Sequence, residues 1–419
     1  MPAESHPTLQ VLAVPALRLY LVARFFSGFG RALVSAMLAY HVYDATGSYA
    51  ALGILGLVEF LPVIPISLLG GVVADRFDRR ILIIAAHLAS LSGVAVLAFS
   101  SQGEPGEQVL VYGAAFLLAI TAGFANPAAS ALLPGLVPRE IFQNATVVTA
   151  SISHLAFIAG PITMGLLIGP FGFGAPYATA AVCYAISIFG LSFLRIVRTE
   201  GKKPDVSLAA VREGIAFVWS ERALLSSMTL DLFAVIFASA TALLPAFAEE
   251  ILRVGPVGYG VLRASMAIGT FTMTLFLMVA RPFPFPGRAL LWAVVVFGIA
   301  LFTFGLSRWF PLSVGAFVVA GMADQVSMTM RSVILQLSTP DALRGRVSAV
   351  SWIFIGASNE LGDAESGFLA YLTSATFAVV AGALACLGVT ATVAVRVPEL
   401  RRWTPAATAL LREGDGGGA

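Results

Sequence analysis

Twelve long apolar runs constrain the fold of this chain more than any other feature of its sequence. They fall at 16–43, 50–73, 79–100, 108–133, 144–168, 175–197, 222–249, 257–280, 288–307, 309–336, 346–371 and 374–396. A helix needs roughly 20 apolar residues to cross the hydrocarbon core of a bilayer. Only 11% of the residues are charged and 58% are hydrophobic, whereas soluble domains carry about 25% charged residues. The sequence therefore predicts a polytopic membrane protein that lies in a lipid bilayer.

The basic residues predict the orientation of these spans, because cytoplasmic loops carry the excess of Arg and Lys. With a cytoplasmic N-terminus, the outer loops hold only Arg253 and Arg308, and the inner loops and tails hold the other basic residues outside the spans. A shift of the helix count by one would scatter these charges over both faces. We therefore expect a multi-pass protein of the cell inner membrane with both termini in the cytoplasm.

The longest polar stretch, from Arg198 to Arg222, separates the runs into two sets of six. Within it, four apolar residues recur at helical spacing, as expected of an amphipathic helix on the membrane surface; they are Leu208, Val211, Ile215 and Val218. The predicted domains are a six-helix bundle over 1–197, a cytoplasmic linker over 198–221, a second six-helix bundle over 222–400 and a cytoplasmic tail over 401–419.

A weak internal repeat relates the two sets. A shift of 202 residues aligns Pro138 with Pro340, Gly160 with Gly362, and Gly165 with Gly367. Repeated halves are the usual architecture of alternating-access transporters. The predicted fold is all-α and integral to the membrane, with twelve transmembrane helices in two pseudo-symmetric six-helix bundles.

The loop between the second and third runs reads Gly-Gly-Val-Val-Ala-Asp-Arg-Phe-Asp-Arg-Arg over 70–80. It resembles the loop signature of the major facilitator superfamily. The resemblance implies a secondary transporter with this fold, in which Asp75 faces the start of the eleventh helix and latches the two halves. The implied latch residues are Gly70, Gly71, Asp75, Arg76, Arg79 and Arg80. A basic turn that only anchors the loop in the cytoplasm is the alternative.

The fifth run contains Gly160-Pro161-Ile162-Thr163-Met164-Gly165. This segment resembles the glycine-proline motif of exporters in the superfamily, although Met164 stands where glycine is usual. Gly160, Pro161 and Gly165 are the matching residues, and simple helix packing is the alternative role for them. Other short stretches, such as Ala23-Arg24-Phe25-Phe26-Ser27, resemble the enterobactin-exporter-like, drug-efflux branch of the superfamily.

Charged residues inside spans are costly and tend to mark transport pathways. The candidates are Arg24, Arg31, Glu59, Asp231, Arg263, Asp324, Arg331, Glu360, Asp363 and Glu365. The acidic residues among them have three possible roles: to carry protons, to form ion pairs that fasten the fold, or to line a solvated vestibule. The fourth run carries no charged residue, so attention shifts to the first, second, tenth and eleventh runs.

Other classes of function find no support in the sequence. There is no phosphate-binding Gly-x-x-x-x-Gly-Lys-Ser/Thr loop and no nucleophile elbow, and the four His show no metal-like spacing. We expect no enzyme activity, no cofactor and no bound metal. The net charge of +2 implies no nucleic-acid partner. The prediction is a monomeric, proton-coupled exporter of amphiphilic small molecules, either drug-like or siderophore-like; an importer and a non-transporting sensor or scaffold are the alternatives.

Overall fold

Helices form all the regular secondary structure in the described part of the computed structural model. The described residues are 11, 13–63, 65–66, 77–100, 107–194, 208–281, 283–340 and 343–404. Six helices precede the linker: α1 Pro15–Thr46, α2 Tyr49–Phe60, α3 Arg79–Ser100, α4 Glu107–Leu132, α5 Phe142–Phe171 and α6 Gly174–Ser192. The linker helix is α7, Leu208–Ser220.

Seven labelled helices follow the linker helix. They are α8 Arg222–Phe237, α9 Gly255–Val279, α10 Pro286–Leu306, α11 Phe310–Ser338, α12 Arg344–Leu372, α13 Ala375–Arg396 and α14 Pro398–Arg402. Apart from α7 and α14, these helices occupy the twelve predicted positions. Nine helices among the described residues are long and apolar enough to cross a membrane. The predicted fold class is thereby confirmed.

The first helix shows how local sequence fixes helix ends. Pro15 stands in its first turn, where its missing N–H costs no hydrogen bond. Gly47 follows the last residue with a φ of 57°, and its N–H donates to Tyr43 O at 2.7 Å. Glycine adopts this left-handed conformation without steric strain.

Two predicted spans are interrupted where the sequence predicts continuous helices. The second, predicted over 50–73, breaks at a turn formed by Leu61 and Pro62. The seventh, predicted over 222–249, ends at Phe237; a short helical turn, Leu244–Ala246, and a π-helical turn, Phe247–Ile251, follow an irregular stretch. Proline donates no backbone hydrogen bond and clashes with the preceding turn. Pro62 therefore accounts for the first correction, and Pro245 for the irregular backbone directly before Leu244–Ala246.

The chain divides into two compact units. The first unit comprises Met1–Ala51, Val58–Pro204 and Ala248–Ala264, and the second comprises Leu52–Leu57, Asp205–Phe247 and Ser265–Ala419. In the second unit α7 packs on the first turns of α12: Val218 is buried in one cluster with Val347, and Glu213 pairs with Arg346.

Candidate functional site

The loop signature is only partly visible in the structure. Gly70, Gly71, Asp75 and Arg76 lie outside the described residues. Arg79 Nη1 donates to Ala131 O at 2.7 Å, and Arg80 Nη1 donates to Leu194 O at 2.8 Å. These carbonyls lie at the C-terminal ends of α4 and α6, where backbone acceptors lack helical partners. The two arginines thus tie the start of α3 to its neighbours within the first unit.

The glycines of the fifth helix permit close backbone contacts inside the first unit. A Cβ atom on Gly160 would lie 2.8 Å from Leu33 N and 2.9 Å from Phe29 O of α1. A Cβ atom on Gly165 would collide with the carbonyl oxygen of Pro256, in the first turn of α9. Small residues let helices approach in this way inside a membrane, so α5 contacts both α1 and the start of α9 through these positions.

Two acidic residues that the sequence analysis did not single out bind tyrosines in the first unit. Tyr40 Oη donates to Glu249 Oε1 at 2.6 Å, while Tyr43 and Tyr49 both donate to Glu250, the latter at 2.6 Å. Both acids stand in the π-helical turn, a feature frequent at functional sites. The adjacent Glu pair at the end of the seventh run was the available signal.

A buried histidine was also missed. His41 Nε2 lies 3.0 Å from Glu107 Oε1, and His41 Nδ1 lies 3.0 Å from Tyr177 Oη. The three residues come from α1, α4 and α6, so their spacing along the chain does not predict that they are in contact. Glu107 stands immediately before the fourth apolar run, and this position was the only signal in the sequence.

The structure places two of the ten charged candidates, Arg24 and Arg31, in one cavity of the first unit. Arg263 Nη2 donates to Ser35 Oγ at 3.2 Å, also in the first unit. Glu59 is the penultimate residue of α2 and is half-buried.

In the second unit a charged group joins α8 and α11. Arg331 Nη1 forms an ion pair with Asp231, and their side chains are only 11% and 7% exposed. Asp324 is close enough for its charge to act on Asp231, and Arg331 acts on both carboxylates. Three of the predicted charged residues, two Asp and one Arg, are thus brought together.

The acidic residues of α12 have other neighbours in the second unit. Asp363 accepts a hydrogen bond from Ser239 Oγ, just beyond α8, and Ser366 Oγ donates to the carbonyl oxygen of the same Ser239. Glu365 is half-buried and interacts with the Ser366 side chain. Glu360 is half-buried one turn before Asp363. Asp363 and Ser366 of α12 thus both contact Ser239, just beyond α8.

With this geometry in place, the comparisons with known proteins decide the family. The sequence profile of the transmembrane secretion effectors, a family of the major facilitator superfamily, matches residues 7–411. The chain belongs to this family. This major facilitator superfamily member is therefore a multi-pass membrane transporter for a small-molecule substrate.

Relatives of this transporter cover most of its length. The multidrug efflux pump Tap of Mycolicibacterium fortuitum is 26% identical over 409 residues, which cover 92% of this chain and 96% of Tap. The enterobactin exporter EntS of Escherichia coli O139:H28 is 26% identical over 357 residues, covering 84% and 83% of the two chains. The predicted resemblance to the drug-efflux and enterobactin-exporter branch is confirmed.

A solved structure supports the fold alone. The crystal structure of a POT family transporter in complex with a thioalcohol-conjugated peptide aligns with a TM-score of 0.72 at 14% sequence identity. The alignment covers 92% of this chain and 96% of that one. The superfamily fold therefore extends over nearly the whole transporter.

Proposed function

We propose that the protein is a proton-driven exporter of amphiphilic small molecules in the cell inner membrane. Its nearly full-length similarity to Tap, a multidrug efflux pump, and to EntS, an enterobactin exporter, supports export. In this proposal both termini are cytoplasmic, the protein acts as a monomer, and alternating access carries the substrate across the bilayer.

The observation that carries proton coupling is the charge balance of the group formed by Asp231, Asp324 and Arg331. Two carboxylates face one guanidinium, so the fully ionised group has an excess of one negative charge. Uncompensated charge inside a membrane protein is costly. One proton on either Asp neutralises the group, and its release restores the charge. The group can therefore couple proton binding to a change of conformation.

Transport by purified protein in liposomes tests the proposal. Vesicles containing the protein and the fluorescent amphiphile rhodamine 123 receive an imposed pH gradient in either direction. With a gradient, we expect rhodamine 123 to move in the direction opposite to the proton flow. Without a gradient, we expect its transport to be slow. In cells, collapse of the proton gradient should raise dye accumulation, whereas a protein-dependent fall would indicate import.

A matched pair of acid-to-amide variants assigns the coupling. Asp231→Asn should abolish gradient-driven movement while dye exchange at equal pH persists. Glu399→Gln in α14 removes an exposed carboxylate that pairs with Arg222, and it should leave both rates unchanged. Gradient-driven transport by Asp231→Asn at the wild-type rate would contradict this coupling site.

A further inference from the structure

A groove on the surface of the second unit lies between α9, the first half of α10 and the middle of α11. Its volume is about 620 Å³, and sites for drug-sized ligands occupy about 300–1,000 Å³. The groove is open at its side, because Trp292 of α10 is 69% exposed and Val319 of α11 is 42% exposed. In a membrane protein, such an opening within the spans faces lipid.

The base of the groove is a stripe of apolar residues on α11. They are Val319, Met322, Ala323 and Val326. Residues three and four positions apart share one face of a helix. Asp324 and Arg331 stand on another side of the same helix, where both interact with Asp231 of α8. A molecule in the groove would therefore pack against the back of the helix that carries the proposed coupling residues.

The wall that α9 forms is fixed by close backbone contact with α11. A Cβ atom on Gly269 would collide with the carbonyl oxygen of Val318, and one on Gly321 would collide with that of Met266. Thr270 Oγ1 also donates to Gly321 O at 3.3 Å. Small residues allow helices in membranes to approach in this way, so this side of the groove is already formed in the protein.

The start of α10 is fixed at the other side. Pro286 stands in its first turn, where proline favours helical geometry. A Cβ atom on Gly287 would collide with the carbonyl oxygen of Leu400 in α14. Directly after α14, Trp403 Nε1 donates to Ser338 Oγ, at the end of α11, at 3.2 Å. The short helix α14 thus joins the ends of the two helices that border the groove.

The charge at this end of the groove is positive. Arg288 is the one charged residue among the described residues that line it, and it is exposed. Its guanidinium carbon lies 4.8 Å from the centre of the Phe285 ring, which orients the side chain by a cation–π contact. The carboxylate of Glu399 in α14 pairs with Arg222. Two further exposed arginines of α14 are Arg401 and Arg402.

The length of the groove matches the depth of one lipid leaflet. Arg288 and Val296 line its two ends on α10, and eight residues of helix span about 12 Å. The hydrocarbon core of a bilayer is about 30 Å thick, so each leaflet contributes about half of that. In the proposed orientation the start of α10 is cytoplasmic, and the cytoplasmic leaflet carries anionic lipids. The basic end thus lies at headgroup level and the apolar part at acyl-chain level.

Apolar walls alone would accept any lipid chain, but an oriented guanidinium adds selectivity. Guanidinium binds phosphate with two parallel hydrogen bonds, and a basic residue near the membrane surface attracts lipids of net negative charge. We propose that this groove binds an anionic phospholipid, with one acyl chain against α11 and the phosphate at Arg288. The proposal goes beyond the exporter function and does not depend on it.

Tryptophan fluorescence of the full-length protein in liposomes tests the lipid site, because Trp292 lines the groove. The membranes contain equal amounts of phosphatidylcholine and phosphatidylglycerol, with bromine on the acyl chains of one lipid at a time as a contact quencher. The difference between wild type and Trp292→Phe isolates this residue from the other tryptophans. We expect phosphatidylglycerol to occupy the site about fivefold more tightly than phosphatidylcholine, as one arginine near an anionic lipid provides.

Substitutions then locate the headgroup. Each variant is compared with its own Trp292→Phe counterpart. Arg288→Gln should remove the preference for phosphatidylglycerol, and Arg288→Lys should keep part of it, because lysine retains the charge and loses the planar fork. Arg308→Gln, whose exposed arginine contacts Thr376, is the matched control and should keep the full preference. An undiminished preference in Arg288→Gln, with a wild-type thermal unfolding midpoint, overturns the assignment.

Other occupants of the groove give different results. Equal quenching of Trp292 by the two lipids would make the groove ordinary lipid-facing surface and overturn the proposal. Protection of Trp292 from both lipids would mean that a second copy of the chain covers it, which also overturns the proposal. Displacement of the brominated lipid by rhodamine 123, measured as the ratio of fluorescence in brominated and plain membranes, would make this a site for a transported amphiphile instead. None of these measurements requires transport, so a failure of the proposed export leaves the lipid site to be judged separately.

Discussion

The two units hold their internal charges in opposite ways. Arg24 and Arg31 line a cavity of the first unit, whereas in the second unit Arg331 interacts with both Asp231 and Asp324. The first arrangement places two guanidinium groups on one cavity wall, and the second places two carboxylates beside a guanidinium. This contrast suggests that the two units contribute differently to transport, with the proposed proton exchange in the second unit.

The backbone packing, by contrast, is alike in the two units. Gly160 and Gly362 align in the 202-residue repeat, and each stands where a helix touches the first long helix of its own half. A Cβ atom on Gly160 would lie 2.8 Å from Leu33 N of α1, and one on Gly362 would lie 2.8 Å from Val235 O of α8. The helix contact is thus repeated while the charges have diverged.

The largest expected effect comes from removing Arg331, the cation that pairs with Asp231 in the second unit. Arg331→Gln leaves Asp231 and Asp324 without a counter-charge, and breaking a buried pair in this way costs about 3–5 kcal/mol. We expect little folded protein, measured as membrane abundance and as the thermal unfolding midpoint after purification.

Arg24→Gln is the matched control for this comparison. Arg24 Nε has no hydrogen-bond partner among the described residues, so the substitution orphans no described acceptor of that atom. We expect the purified variant to unfold at or above the wild-type temperature. Equal losses of folded protein in the Arg24 and Arg331 variants would remove the proposed difference between the two units.

The sequence was sufficient to predict the twelve helices and the fold class. Long apolar runs have few alternatives to transmembrane helices, and the superfamily signature at 70–80 agrees with them. The positions of the helix breaks were harder to predict from the sequence. Pro62 and Pro245 interrupt helices, whereas Pro127, Pro161 and Pro170 stand inside continuous ones, because neighbouring residues decide whether a freed carbonyl finds another partner.

The candidate site could be predicted only as a set of residue types. Arg24 and Arg31 are seven residues apart on one helix, so their common face follows from helical periodicity. The pairing of Asp231 with Arg331 joins residues 100 positions apart, and the contact of His41 with Glu107 joins separate helices. Such contacts depend on which helices pack together, which spacing along the chain does not reveal.

The second prediction separates the two carboxylates that share Arg331. Asp231 is the one in direct ion-pair contact, whereas Asp324 interacts at longer range. Asp231→Asn should therefore abolish gradient-driven efflux, and Asp324→Asn should reduce it less, while both variants keep dye exchange at equal pH. The measurement is the ratio of driven to exchange rates in liposomes. A larger loss of gradient-driven efflux in Asp324→Asn would assign the coupling proton to Asp324 of α11 instead.

The third prediction tests the repeated packing. Gly160→Ala and Gly362→Ala each place a methyl group against backbone atoms, and overpacking of this kind costs about 1–3 kcal/mol. Similar falls in the thermal unfolding midpoint are expected for both. Gly315→Ala is the control, since no atom lies within 4 Å of its added Cβ, and alanine favours a helix. A loss confined to Gly160→Ala would show that the two contacts are not equivalent.

The smallest effects are expected in α12, where the repeat sets a carboxylate opposite a proline. Pro161 of α5 aligns with Asp363, so the first half has a backbone irregularity where the second has an ionisable group. Asp363 accepts from Ser239, which places its carboxylate against the irregular stretch beyond α8. Asp363→Asn can keep this hydrogen bond through its amide oxygen, and the variant should therefore fold while its charge is lost.

We accordingly expect Asp363→Asn and Glu360→Gln to reduce gradient-driven efflux severalfold, and Glu365→Gln, on another side of the helix, to reduce it less. Thermal stability, dye exchange at equal pH and driven efflux are measured for each purified variant. Retained exchange with reduced driven efflux would support a part in proton transfer. Reduced stability would instead indicate that these carboxylates fasten α12 to its neighbours. Equal tolerance of all three amides would confine proton coupling to the group around Arg331, and the contrast between the two units would then rest on α8 and α11 alone.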